Sequence, residues 1–146
     1  MNLSRIAANY ILGNLLTEDL PTLAIEALQA GYDSPSLRQL AASEGSQSDE
    51  IRKLFSKALE ELKINAPSLT EAGLMLAQDI AKDIVMGRIA PYEGAKRIWW
   101  DVFTRFPQLT QLTPFVGLAS EYEDDEQHRG EYSRQIMEES RKLLAN

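Results

Sequence analysis

The feature that most limits what this chain can fold into is the spacing of its apolar residues. They recur every three to four positions in segment after segment, and no segment alternates them as a half-buried strand would. Leu3, Ile6, Ala7, Tyr10 and Ile11 keep the helical period, and Leu20, Leu23, Ala24, Ala27 and Leu28 take it up again. Ile51, Leu54, Phe55, Ala58, Leu59 and Leu62 form the clearest stripe. Between such runs stand residues that start or stop helices. Pro21 follows an acidic first turn, where the missing amide hydrogen costs nothing. Gly31 sits where a left-handed terminal residue belongs, and Ser34 before Pro35 is a cap-then-proline start.

The same punctuation continues. Ser48 is placed to cap the helix over Ile51–Leu62, and Ser68 with Glu71 has the spacing of a capping box. The helix that follows runs to Met86 and stops before Gly87, with apolar residues around about half its circumference. Pro91 opens a helix bearing Ala95, Ile98, Trp99, Val102, Phe103 and Phe106 on one face, and Pro107 closes it. Thr113–Pro114 repeats the cap-then-proline signal ahead of Phe115, Leu118, Ala119 and Tyr122, and a last helix carries Tyr132, Ile136, Leu143 and Leu144. The expected fold is all-α: a compact array of about six to seven helices forming a single domain over residues 1–146.

Composition narrows the function. The chain has no cysteine, which removes disulfides, thiolate metal sites and cysteine nucleophiles together. Its net charge is −7, and both halves are acidic, with six basic and nine acidic residues through Asn65 and nine and thirteen beyond. Without a basic pole, nucleic acid is not an expected partner. Arg5, Asn9 and Asn14 interrupt the N-terminal apolar run, so it reads as an amphipathic helix and not a secretion signal. No run approaches the roughly 20 apolar residues of a membrane span, so the expected setting is cytoplasmic.

Aromatic area is concentrated between Pro91 and His128, which hold seven of the eleven aromatic residues, both tryptophans among them. Periodicity assigns Trp99, Phe103, Phe106, Phe115 and Tyr122 to the core. Trp100 projects about 100° from Trp99 on a regular helix. It is either covered from the side by another helix or is an aromatic anchor at a partner surface, where tryptophan is enriched.

The acidic run Glu121–Glu126 ends beside the only histidine, His128. Asp125 and His128 are three apart, but a two-metal bundle needs two Glu-x-x-His pairs. A calcium loop starting at Asp125 would place Gly130 correctly, yet it would put Arg129 at a ligand position and Ile136 at the closing glutamate. A metal or small-molecule site would have to draw on Asp79, Asp83, Glu121 and His128; no cofactor is expected. No Walker loop, dinucleotide fingerprint or Gly-x-Ser-x-Gly turn is present, and catalysis is not the expected role.

The segment from Leu37 to Ile64 has a helix-turn-helix outline, with Ala41 and Gly45 four apart. Its second helix opens Ser48-Asp49-Glu50, which would set like charge against phosphate, so a helical hairpin with a Leu/Phe core stripe is expected instead.

The phrases GYDSPSLRQLAAS at 31–43 and PYEGAKRIWW…FVGLASEYEDD at 91–125 resemble segments of small all-helical bacterial proteins of no established activity. That resemblance implies one intact domain and bacterial origin, and it supplies no site residue to carry over. The expected function is therefore non-enzymatic: binding of another protein, in the manner of an immunity or regulatory protein. The expected contact residues are Tyr92, Glu93, Lys96 and Trp100, joined by Glu121, Glu123, Asp124 and Asp125.

Overall fold

The computed structural model describes residues 1–145. Eight α-helices and no strand are present among the described residues, against the six to seven helices expected. Each of the eight helical segments read from the sequence forms one of them, so the expected total was low although every segment was marked. The chain divides into two compact units, Met1–Ala72 and Gly73 onward.

In the first unit, α1 (Leu3–Ile11) is capped by the Asn2 side chain, which accepts from the backbone N–H groups of Ser4 and Arg5 at 3.0 and 3.3 Å. Helix α2 (Leu20–Gln29) ends at Gly31, whose φ of +104° suits glycine. The N–H groups of Gly31 and Tyr32 turn back to the carbonyls of Leu28 and Ala27, each at 3.1 Å, completing a Schellman end. Ser34 Oγ accepts from Leu37 N–H at 3.1 Å and starts α3 (Pro35–Ala41) as expected.

Helix α4 (Ser48–Glu61) corrects one expected cap. Ser48 is its first helical residue, and Gln47 occupies the cap position without a side-chain bond. The far end of α4 reaches α3: Glu61 accepts from Ser36 Oγ at 2.7 Å and from Ser36 N–H at 2.9 Å. Those two bonds, the hydroxyl's first, hold the Glu61 carboxyl below its usual range.

The core of this unit combines Leu3, Ala7, Leu20, Ala24, Leu37, Leu40, Ile51, Phe55 and Leu59. Leu20, Leu37 and Leu40 are almost wholly buried, and burial of each stabilises the fold by about 1.5–3 kcal/mol before chain entropy is counted. Tyr10 meets Phe55 edge-to-face with centroids 5.7 Å apart. Arg52 on α4 is paired with Asp49, so one of the few cations of the helix-turn-helix outline is already neutralised.

The boundary between the units falls inside α5 (Leu69–Val85), whose capping box forms as expected: Ser68 Oγ accepts from Glu71 N–H at 3.1 Å and Glu71 accepts from Ser68 N–H at 3.2 Å. Within the second unit, α5 lies so close to α6 (Pro91–Arg97) that a Cβ on Gly94 would overlap Ile84. A Cβ on Gly73 would come within 2.6 Å of Phe106.

Helix α6 does not stay regular. Ile98–Phe103 continue it as a π-helical turn, in which the N–H of Thr104 reaches back five residues to the Trp99 carbonyl at 3.1 Å. Ala95, Ile98 and Val102 are fully buried along this rod, whereas Trp99 and Phe103 are half-buried. The expected core position of those two is thus displaced to the edge of the buried face, because the π turn alters the angular spacing on which the expectation rested.

Helix α7 (Thr113–Asp124) follows a short 3₁₀ turn, Thr110–Leu112. Here Thr113 is not a cap: its hydroxyl donates backwards to the Thr110 carbonyl at 2.7 Å. Phe115 and Ala119 are fully buried as expected, while Tyr122 is half-buried. A second 3₁₀ turn, Glu126–His128, leads into α8 (Arg129–Ala145), which buries Ile136, Ser140 and Leu143. The Ser140 hydroxyl is satisfied by the Ile136 carbonyl at 2.8 Å. Leu144, expected to share that stripe, is exposed.

Candidate functional site

Trp100 is the exposed aromatic of the second unit. It is 55% exposed, and its indole stacks on that of Trp99 with centroids 4.7 Å apart and planes 19° from parallel. At that exposure no helix among the described residues encloses it, so the expectation of a covering helix is not met. The arrangement lies in the π turn, where Ile98 and Val102 face inward and the two large rings emerge beside them. The Trp100 carbonyl is held by the Thr104 hydroxyl at 2.6 Å. A shallow groove of about 260 Å³ runs beside the ring, lined by Glu93, Lys96, Arg97, Trp100 and Asp101. Of the expected contact residues, Glu93, Lys96 and Trp100 are thus brought to one groove.

Tyr92 lies two turns earlier on α6 and points to α7 instead. Its ring stacks on Tyr122 at 4.3 Å with planes 10° apart, and its hydroxyl donates to Glu123 Oε2 at 3.0 Å. Lys96 sits 6.0 Å above the Tyr92 ring, and the Arg129 guanidinium covers Tyr122 at 4.7 Å. Arg129 also donates from Nε to the Tyr122 carbonyl at 2.9 Å. Two tyrosines between two cations therefore tie α6, α7 and α8 together at the surface. Desolvation, followed by the bond to the Glu123 carboxylate, raises the Tyr92 pKa above the ordinary phenol value.

The acidic run divides in two. Glu121, Glu123 and Asp124 are exposed on the last turn of α7. Asp125 turns inward at the helix end, where its Oδ2 accepts from Tyr132 at 2.8 Å and lies 2.7 Å from His128 Nδ1. The Tyr132 bond first, and His128 second, hold the Asp125 carboxyl below its usual range. The same bond pushes the Tyr132 phenol up to about 12. Asp125 is therefore engaged in joining α7 to α8 and is a less available contact residue than its neighbours. Nothing in the sequence announced this link, because Tyr132 was explained by helical period alone.

The alternative set of Asp79, Asp83, Glu121 and His128 is not assembled around a common point. Asp83 pairs with Arg88 at 3.1 Å, and His128 faces Asp125. Among the described residues no three His, Cys, Asp or Glu side chains converge in a way that could hold a metal ion. No helix among them is long and apolar enough to cross a membrane. Comparison of the chain with protein-family models, with curated proteins and with solved structures gave no match.

Proposed function

We propose that this protein acts without catalysis, in the cytoplasm, by binding another protein through the surface around Trp100, as an immunity-type or regulatory protein would. The observation that carries this reading is the exposure of Trp100 itself. Tryptophan is a highly buried residue on average, and exposed aromatic area of this kind is where binding energy concentrates. Its geometry supports the same reading: the ring rests on Trp99, so it has less rotational freedom to lose on binding than a ring standing free in solvent.

The test compares wild-type protein with the Trp100→Ala variant as immobilised baits in the same cell extract. A partner retained by the wild type and lost by the variant, with the melting temperature preserved, supports the reading. Identical sets of retained proteins would defeat it.

A further inference from the structure

We infer that the partner segment seated on Trp100 is basic, with an apolar anchor over the indole and cationic side chains about two helical turns, or about 12 Å, from that anchor. This rests on the reading of Trp100 as a contact residue and names the chemistry of what covers it. The two ends of the exposed α6 surface differ in charge. At the Trp100 end, Arg97 and Asp101 face one another at 3.8 Å, and Glu93 and Lys96 add one charge of each sign, so the groove beside the indole is lined by balanced charge. At the Tyr92 end, the hydrogen bond from Tyr92 to Glu123 places the last turn of α7 alongside.

That turn and the residue after its cap present Glu121, Asp124 and Glu126, all exposed, and none has a cationic partner among the described residues. Arg129, at the start of α8, is itself engaged with the Tyr122 ring and carbonyl. An apolar ring at one end and unmatched carboxylates at the other complement a cationic amphipathic segment. The ring would supply most of the affinity, and the carboxylates would supply register and rate of encounter.

The test uses the Trp99→Phe variant, in which Trp100 is the sole tryptophan, and two tryptophan-free helical peptides of equal length, one of leucine and lysine and one of leucine and glutamate. The leucine–lysine peptide should shift Trp100 emission to the blue and bind at least about tenfold more tightly than its acidic counterpart. Converting Glu121, Glu123, Asp124 and Glu126 to their amides should abolish the preference. Equal affinities, a preference for the acidic peptide, or leucine–lysine binding that leaves Trp100 emission unmoved would each overturn the inference.

Failure of the underlying contact reading has a different signature. In the extract experiment, a partner lost by Trp100→Ala but kept by the four-amide variant would preserve the contact surface and overturn only the basic partner. If neither variant loses a partner, the contact surface itself is overturned.

Discussion

In the first unit a carboxylate on a helix terminus links distant parts of the chain, beside a long bond from the Tyr32 hydroxyl to the Met1 carbonyl at 3.4 Å, whereas in the second unit the bonds that join α6, α7 and α8 all involve a tyrosine. Glu61 reaches across 25 residues to the N–H and hydroxyl of Ser36, in the first turn of α3. In the second unit, Tyr92 reaches Glu123, Tyr132 reaches Asp125, and Arg129 holds Tyr122. The first kind of contact answers a demand every helix makes, since first-turn amides lack partners. The second kind answers no such demand. It joins the surfaces of α6, α7 and α8, two turns along from the exposed indole of Trp100.

The comparison breaks most visibly if buried and surface aromatics prove equivalent in the second unit. Phe115 is fully buried, and Phe115→Ala should cost about 3–5 kcal/mol in urea unfolding, combining lost transfer energy with a residual cavity. Trp100→Ala removes a larger side chain but should change stability by no more than about 1 kcal/mol, because its ring is more than half exposed. Similar losses at both positions would mark Trp100 as a packing residue and remove the main support for a contact surface.

The next largest effect concerns how closely α5 and α6 approach. Gly94→Ala should destabilise by about 1–3 kcal/mol, because the new methyl group meets Ile84. In an Ile84→Ala background the same change should cost clearly less, the colliding atoms being gone. A cost independent of residue 84 would assign the effect to backbone conformation instead.

Much of this architecture was readable in the chain before any coordinates. The cap at Ser34, the capping box of Ser68 and Glu71 and the stop at Gly31 are local devices, and each formed where its residues predicted. Ser48 and Thr113 have the same chemistry, but one became the first helical residue and the other bonded backwards to Thr110. A cap residue offers a hydrogen bond, and neighbouring turns decide whether it is used. The π turn was invisible because no residue type demands it, so Trp99 and Phe103 were assigned by a period that does not apply there. Tyr92, Glu123 and Trp100 were each singled out for the contact surface, yet the Tyr92–Glu123 bond spans 31 residues and no periodicity argument reaches that far.

A smaller effect sharpens the first half of the comparison through pH. The Glu61 carboxyl has a lowered pKa in the folded protein, so its charged form contributes stability in full above the ordinary glutamate range. That contribution is lost as pH falls through the unfolded value towards the lower folded one. Wild-type protein should therefore exceed Glu61→Gln in melting temperature at neutral pH, and the gap should close on acidification. A gap that stays constant with pH would mean the carboxylate charge plays no part at the first turn of α3.

The smallest effect lies at the end of α4, where the chain makes the same Schellman turn as at Gly31 without a glycine. Lys63 adopts φ of +58°, and the N–H groups of Lys63 and Ile64 return to the carbonyls of Glu60 and Leu59 at 3.0 and 2.9 Å. A lysine there bears the steric cost of a left-handed backbone that glycine avoids. Lys63→Gly should raise stability by about 0.5–1 kcal/mol, the relief being partly offset by the freer unfolded chain. Lys63→Ala serves as the control, since it removes the side chain but keeps the Cβ, and it should give no comparable gain. The measurement is the urea midpoint at unchanged slope. If alanine stabilises as much as glycine, the cost at residue 63 comes from the lysine side chain and not from its backbone, and the helix end that the sequence left unmarked carries no strain.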